Sequence, residues 1–468
     1  MDRRGKNVDK VPTSVTKGVQ ILLGNPKKAI VKLSLPLMTA MFVQTLYNLV
    51  DGIWVAGLGP NSLAAIGLFF PIFMIIISLA SGIGVGASSV ISRKIGERNK
   101  KEADDAATQA VTLSISIGIV STVISLFIIR SILESIGTKG ETLELSLKYS
   151  RIILFFIPLF MFNNVANGIL RGEGDTKRSM YAMTLGSILN MALDPLFIYG
   201  LGLGISGAAY ATVISVATSA IFISYWLFFK KDTYVSLKFR GFRYDSKILV
   251  DILKVGIPAS LSQISMSIAI FILNVFIVKA GGDNGVAIFT SSWRIINFGT
   301  VPLIGIAMAV TSVTGAAYGE RNGKRLEEAH LFAIKFGFFI GLSVMLAIIF
   351  FAPQIAVAFT YSKAASVIFE DLVRTLRIMS LFLPGVPFGM FTSSMFQGIG
   401  QGGKSLTISV MRTIVMQVFF SWLFTFILKV GLKGVWWGVV TGNATSSFMA
   451  FIWGRLTVKR LKEYFARC

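Results

Sequence analysis

The chain has 468 residues, of which 54% are hydrophobic and only 15% are charged. A soluble chain of this length carries roughly a quarter charged residues, so the composition excludes an ordinary soluble globular protein. The net charge of +22 would suit a nucleic-acid partner, but the basic residues lie in short segments between long uncharged blocks, which argues against nucleic-acid binding.

Long stretches without charged residues predict membrane-spanning helices, because about 20 apolar residues cross a bilayer. Two blocks are long enough for two helices each: residues 33–92, whose only charged residue is Asp51, and residues 179–229, whose only charged residue is Asp194. Eight further stretches bring the prediction to twelve spans: 106–129, 152–170, 255–278, 284–319, 336–362, 378–403, 405–428 and 434–454. Of these, residues 284–319 contain only one charged residue, Arg294, residues 405–428 only Arg412, and the other six contain none. The sequence therefore predicts an all-α polytopic membrane protein.

Most lysines and arginines fall in segments that alternating spans would place on one side of the membrane. These segments are the N-terminal region, residues 93–105, 171–178, 230–254, 321–335 and 404–412, and the C-terminal tail. Cytoplasmic loops carry such an excess of positive charge. We therefore predict a multi-pass protein of the inner or plasma membrane with both termini in the cytoplasm, whose basic face attracts anionic lipids of the bilayer.

Several local features narrow the class of protein further. The first 28 residues lack the apolar core of a cleavable signal peptide, so we expect none. The single cysteine, Cys468, excludes an internal disulfide and a cysteine-based metal site. We expect the single histidine, His330, to be a solvated or interfacial residue at the start of a cytoplasmic helix. Residues 398–405 fit glycine-rich phosphate-binding patterns, but a span in place of a strand precedes them, so nucleotide binding is not predicted.

The two halves of the chain resemble each other at a separation of about 225 residues. The matching segments are Pro36 with Pro258, residues 96–99 with 319–322, 171–174 with 397–400, and 204–207 with 431–434. Six spans per repeat return the chain to the same side of the membrane, so the repeats must be parallel. We predict a first six-helix lobe over residues 1–232 and a second over residues 233–468, called here the first half and the second half.

The first candidate functional residue is Asp51, because an acid within a span is costly and functional by default. Gln44, Tyr47, Asn48 and Asp51 are spaced so that they share one face of a helix. This spacing predicts a polar wall that ends in a carboxyl group. The alternative is a structural acid near the end of its span.

The second candidate is Asp194, one turn after Asn190 and directly before Pro195. The proline removes the hydrogen bond to the Met191 carbonyl and should kink the helix, and Thr212 is a further possible ligand. Loss of hydration in a low-dielectric cavity favours the protonated form of a carboxyl group. We therefore predict a coupling site for H⁺, or for Na⁺ bound by Asp51, Asn190, Asp194 and Thr212. The alternative is a structural acid at a kink.

The second half has no acid at the positions that correspond to Asp51 and Asp194. Polar residues that could line a path there are Gln263, Asn274, Asn297 and Gln417. We predict that Asn274 and Arg294 contribute to a substrate path, with Arg294 facing a cleft or bonding to a backbone carbonyl. Arg412 has a simpler interpretation, since its long side chain could reach the cytoplasmic interface.

Four segments give the chain a likeness to the multidrug and toxic compound extrusion (MATE) transporters: residues 35–52, 96–98, 170–175 and 190–198. The chain is most similar to the DinF-like branch of bacteria and archaea, because Asp51 and Asp194 match the paired acids of that branch. The other major prokaryotic branch has acids in spans seven and eight, which this chain lacks, and Arg294 would repel a cation there. The resemblance implies a first-lobe cavity lined by Gln44, Tyr47, Tyr149, Asn163, Asn164, Asn167, Met183, Asn190 and Thr212.

The resemblance also implies a V-shaped pair of lobes and a secondary active multidrug exporter. Such a protein exchanges cationic or amphiphilic organic compounds for H⁺ or Na⁺ as its lobes rock, and it needs no other cofactor. The alternative is a flippase of a related fold that moves a lipid-linked oligosaccharide or another amphiphile. A membrane scaffold is a third possibility, whereas the absence of catalytic motifs argues against an enzyme. We expect a monomer.

Overall fold

The computed structural model describes residues 16–230, 232–239, 244–360 and 366–467, and in these ranges it contains helices, turns and no strand. The predictions for residues 1–15, for part of the basic segment between the halves and for Cys468 lie outside the described residues.

The first half is a short helix followed by six spans. The short helix is α1 (Lys17–Leu23), and the spans begin with α2 (Pro26–Ala56), α3 (Pro60–Gly96) and α4 (Lys100–Ser135). The fourth span is α5 (Gly140–Phe155) with α6 (Ile157–Gly172), which meet at a bend of 51°. The last two are α7 (Thr176–Pro195) and α8 (Ile205–Ser224), continued by the π-helical turns Leu196–Gly200 and Tyr225–Lys230.

The second half repeats this order. Its first two spans form one continuous element, α9 (Ser246–Gly319), which is broken at Gly282, and α10 (Gly323–Phe359) follows. The fourth span is α11 (Phe369–Ser380) with α12 (Val386–Gly398). The fifth joins α13 (Gly402–Val410) and α14 (Val418–Trp422) through the π-helical turns Met411–Gln417 and Leu423–Ile427, and α15 (Leu432–Arg467) ends the described chain.

Helix starts show how local sequence determines these elements. Asn99 accepts a hydrogen bond from the backbone N–H of Glu102 at 3.2 Å and so caps α4. Asn322, at the equivalent place in the second half, accepts from the backbone N–H of Arg325 at 3.0 Å and caps α10. Asparagine satisfies N–H groups that have no partner in the first turn of a helix. Both spans therefore begin at the same type of N-cap, in equivalent loops of the two repeats.

The internal duplication is also visible in the backbone conformation. Residues with positive φ occur in equivalent pairs: Gly59 with Gly282, Arg98 with Arg321, Gly174 with Gly400, and Gly204 with Gly431. The Gly59–Gly282 pair explains α9, because Gly282, with φ of 56°, occupies the place that separates α2 from α3 in the first half. Glycine adopts this conformation without steric cost, so α9 is two spans joined at Gly282.

The two halves meet at the ends of α3 and α9 that the charge pattern places on the cytoplasmic side. A Cβ atom at Gly96 would overlap with the carbonyl oxygen of Ala316, and one at Gly319 would overlap with that of Arg93. These contacts are reciprocal, as expected for two repeats related by a rotation axis. Nearby, Ser89 Oγ on α3 donates to the backbone oxygen of Gln397 at 2.5 Å, and Arg93 pairs with Asp251 at 3.7 Å.

The expectation for His330 was wrong. Its side chain is fully buried, and its Nε2 lies 3.0 Å from Thr392 Oγ1 on α12. The residue lies about two turns inside α10 rather than at its exposed start, and the neighbouring Gly454 of α15 leaves room for the ring. His330 is therefore a packed residue of the second half.

Candidate cation and substrate site

Asp51 and Asp194 are brought together by the packing of α2 against α7. Their carboxyl groups lie next to each other. Asp194 is completely buried, while Asp51 is half-buried. Two ionised carboxylates in contact repel each other strongly, so a shared proton or a bound cation is needed to stabilise this arrangement.

The second carboxyl group lies at an irregular end of α7. Pro195 has no backbone N–H, and the chain continues from it as the π-helical turn Leu196–Gly200. Both features weaken the regular hydrogen bonding of the helix next to Asp194. Asp194 Oδ1 has no hydrogen-bond partner among the described residues, so one carboxyl oxygen remains available to a proton or a ligand.

Asn190 connects the carboxyl pair to α8. With its amide nitrogen facing Asp194, Asn190 donates to Asp194 Oδ2 at 2.9 Å and accepts from the backbone N–H of Thr212 at 3.1 Å. The opposite orientation would leave donors facing donors and acceptors facing acceptors. The Tyr47 side chain lies next to that of Thr212. The four residues predicted as a coupling site therefore form one contiguous cluster together with Tyr47.

A polar cavity of about 140 Å³ adjoins this cluster within the first half. Of the predicted residues, those that line it are Gln44, Tyr47, Asn163, Asn164, Asn167, Met183, Asn190 and Thr212. Tyr149 lies outside the lining but close to both carboxyl groups, whereas Asn48 is exposed. Tyr47, Asn190 and Thr212 belong to both cavity and carboxyl cluster, so a ligand in the cavity can reach the groups that hold the carboxyls.

Hydrogen bonds hold the amide groups of this cavity in place. Asn167 Nδ2 donates to the backbone oxygen of Asn163 at 2.8 Å, and Ser179 Oγ donates to Asn167 Oδ1 at 2.9 Å. Ser219 Oγ of α8 donates to Asn163 Oδ1 at 3.1 Å. By contrast, Ser215 Oγ lines the cavity and is buried without a partner in the described chain. The wall is thus ordered, with an unsatisfied hydroxyl that a ligand could bond.

The sequence did not indicate several residues of the cavity: Arg171, Ser187, Ser215 and Ser219. Serine is common wherever transmembrane helices pack closely, so the serines gave no distinct signal. Arg171 lies in the last turn of α6 next to a basic loop, which made it resemble the other cytoplasmic cations.

The second half offers a weaker set of candidates. Asn274 is half-buried, and its Oδ1 lacks a partner among the described residues. Arg294 is exposed and lines neither the polar cavity of the first half nor the cavity between the halves. Gln263 instead lines a cavity between the halves and donates to Ser81 Oγ at 3.0 Å. Arg412 lines the same cavity rather than reaching the interface.

Comparison with known proteins agrees with this architecture. The MatE family model matches residues 36–196 and 258–423, one match in each half. The probable multidrug resistance protein YoeA of Bacillus subtilis is 27% identical, with 91% of this chain and 94% of the relative covered. The multidrug export protein MepA of Staphylococcus aureus is 26% identical, with 91% and 92% covered.

Solved structures extend the agreement to the backbone. One described as the outward-facing conformation of a multidrug resistance MATE family transporter is 56% identical, with a TM-score of 0.94 over 96% of this chain and 99% of that chain. The prediction of an all-helical twelve-span protein is thereby confirmed. Members of this family are transporters and not enzymes. With two family matches and a shared fold over nearly its whole length, the chain belongs to the MATE family of multi-pass membrane transporters.

Proposed function

We propose that this transporter exports cationic or amphiphilic organic compounds in exchange for a cation that binds at Asp51 and Asp194. The observation that carries the proposal is the proximity of these two carboxyl groups, one on α2 and one on α7. Such a pair binds one positive charge readily and a second one poorly, because the first cation neutralises the repulsion that favours binding. The names of the relatives support organic drugs as the exported class.

The contacts of Asn190 favour H⁺ over Na⁺ as the coupling ion. The Asn190 nitrogen donates to Asp194, and its oxygen is occupied by the Thr212 N–H. A sodium ion needs several oxygen ligands, and Asn190 turns its nitrogen rather than its oxygen toward Asp194. A shared proton needs only the two carboxyl groups. Na⁺ bound by Asp51, Asn190, Asp194 and Thr212 remains the alternative that the test distinguishes.

Coupling requires that ion and substrate influence the same groups. The cavity and the carboxyl cluster share Tyr47, Asn190 and Thr212. A cationic substrate in the cavity stabilises ionised carboxylates, whereas protonation removes that attraction. Since each ligand must favour a different state for exchange to occur, competition at these shared residues provides the coupling.

Movement of the substrate across the membrane requires a second conformation. We propose that the halves are two rocking lobes, 1–232 and 233–468, and that the Gly96–Gly319 contact closes the cytoplasmic side. Separation of this contact would open the cavities inward. The proposed setting is the cell membrane, with both termini and the basic face in the cytoplasm, next to anionic lipids, and with a monomer as the working unit.

A lipid-linked oligosaccharide flippase is less well supported. A carrier of a large anionic headgroup needs a wide cationic cavity, and the cavity next to Asp51 and Asp194 is small and lined mainly by amides, hydroxyls and a phenol, with Arg171 as the one cationic residue of its lining. The carboxyl pair would repel a phosphate. Exchange of organic cations therefore fits the first half better.

The test is efflux of ethidium, a cationic dye, from liposomes that contain anionic lipids, first under a pH gradient and then under a Na⁺ gradient. Asp51→Asn and Asp194→Asn should each abolish gradient-driven efflux. The matched control is Asp283→Asn, which changes an exposed acid outside the cluster. The gradient that drives efflux identifies the ion.

Two results would contradict the proposal. Wild-type protein that moves no dye under either gradient would exclude dye antiport. Efflux by the Asp51 and Asp194 variants at the wild-type rate would show that ion coupling occurs elsewhere.

A further inference from the structure

Two arginines line the cavity between the halves. Arg171 lies in the last turn of α6, and Arg412 lies in the π-helical turn Met411–Gln417. Both contribute to one cavity of about 260 Å³, whose walls come from both halves. Arg171 also lines the polar cavity of the first half, and Arg412 a small cavity of the second. The arginines thus lie where these cavities meet.

Neither guanidinium group has an acidic partner in the described ranges. The ion pairs of that part of the chain include neither Arg171 nor Arg412. Arg412 Nε is buried and without a hydrogen-bond partner. Because arginine keeps its charge in proteins, and because a buried unpaired charge is costly, a ligand with negative charge would satisfy these groups.

The carboxyl pair does not neutralise Arg171 directly, since no ion pair joins Arg171 to Asp51 or Asp194 in the described chain. Arg171 lies before the first residue of α7, and Asp194 lies near its end. The nearest acid in sequence, Glu173, instead accepts a hydrogen bond from the backbone N–H of Val235 at 2.8 Å. The cavities of the proposed transport path therefore contain an arginine charge that the carboxyl pair does not bind.

The rest of the cavity suits an amphiphile. Its polar residues include Ser394 and Gln397, which are able to donate to the oxygens of an anion, whereas the Ser409 and Thr413 hydroxyls already donate to backbone oxygens. Its apolar residues include Met266, Ile304, Met308 and Met390. Methionine side chains adapt to varied apolar shapes, and arginine forms paired hydrogen bonds with phosphate or carboxylate.

We infer that Arg171 and Arg412 bind the anionic group of an amphiphilic substrate held between the halves. A phosphate, sulfate or carboxylate provides the shared chemistry, and the apolar part packs on the methionines. The inference rests on the proposed transport function, since it assigns the cavity to the substrate path. It extends the substrates from organic cations to zwitterionic and anionic amphiphiles.

The test is calorimetric titration of the purified full chain in a nonionic detergent at constant ionic strength. Hexyl phosphate is the amphiphilic anion, hexanol its neutral counterpart, inorganic phosphate the free ion, and dihexanoyl phosphatidic acid the lipid headgroup. We expect hexyl phosphate and the phosphatidic acid to bind, each more tightly than hexanol or inorganic phosphate. Arg171→Gln and Arg412→Gln should weaken binding on the order of tenfold each.

Matched variants separate binding from folding. Arg460→Gln removes an exposed cation from the last described helix and should leave hexyl phosphate binding unchanged. Arg412→Lys keeps the charge and should retain part of the affinity, and a thermal unfolding scan without probe establishes that each variant is folded. Binding that is equal for hexanol and hexyl phosphate, equal in wild type and both glutamine variants, or no weaker for inorganic phosphate would overturn the inference.

The titration contains no ion gradient, so its outcome is independent of coupling. Hexyl phosphate binding without dye efflux would refute the proposed antiport alone. Dye efflux without hexyl phosphate binding would refute the anion site alone.

Discussion

The two halves of the molecule have similar backbone conformations but differ in the charged side chains within their spans. Positive-φ residues and π-helical turns recur at equivalent places, including Leu196–Gly200 and Leu423–Ile427. Asp194, however, corresponds to Ser421, whose Oγ donates to the backbone oxygen of Val435 at 3.2 Å. Asp51 corresponds to Asn274. The fold therefore does not require the carboxyl pair, and we attribute the pair to function in the first half.

The largest effect is expected at Asp194, where the two halves differ most in chemistry. Asp194→Asn should lower gradient-driven ethidium efflux at least about tenfold, since it removes one of the two groups that bind the coupling cation. Ser421→Ala, at the equivalent position, should change efflux less than about twofold, because it removes only a side-chain bond to a backbone oxygen. Initial efflux rates from liposomes with equal amounts of protein provide the measurement. Similar losses in both variants would contradict a functional asymmetry.

The next prediction tests whether the two halves contribute equally to the contact at Gly96 and Gly319. Gly96→Ala and Gly319→Ala should each lower efflux about tenfold, because either Cβ overlaps with a carbonyl oxygen of the other half and such overpacking costs about 1–3 kcal/mol. Gly67→Ala is the matched control, since a Cβ there meets no neighbouring atom. The same efflux assay measures all three. A loss in only one of the two interface variants would show that the halves do not close as equivalent partners.

A smaller effect concerns the residue that holds Asp194. Asn190→Ala removes a donor to the Asp194 carboxyl and should lower efflux roughly threefold to tenfold, the range for a typical hydrogen bond. The control is Asn297→Ala, which changes an exposed asparagine of α9. Efflux measured over a range of pH would show whether the loss depends on proton concentration. An unchanged rate at every pH would remove Asn190 from the coupling cluster.

The smallest effect concerns Glu173, which corresponds to the buried Ile399 of the second half. Burial raises the pKa of Glu173 from 4.5 to about 8, although the hydrogen bond from the Val235 N–H opposes the rise. The folded state therefore binds a proton that the unfolded state releases between these values, and stability should fall as pH rises from 4.5 to 8. Glu173→Gln should flatten this dependence, which melting temperatures at pH 5 and pH 8.5 would measure. Equal slopes in both proteins would contradict this assignment.

The sequence indicated the helical fold and the two acids within spans, but it did not indicate that Arg171 and Arg412 line a cavity. Asp51 and Asp194 were each the only charged residue in a long apolar block, so the cost of burying an acid identified them. Arg171 and Arg412 occur near helix ends, where arginine commonly extends to the interface. His330 occurs in a basic segment that gave no sign of its packing against Thr392. Only tertiary packing determines which of such side chains face a cavity.

Proton release on substrate binding tests the central claim most directly. In weakly buffered detergent solution near neutral pH, ethidium binding to wild-type protein should release up to about one proton per chain, because the carboxyl pair shares one proton. Asp283→Asn should behave as wild type, and Asp194→Asn should release none. Ethidium binding without proton release, or release unchanged in Asp194→Asn, would contradict proton coupling through the Asp51–Asp194 pair.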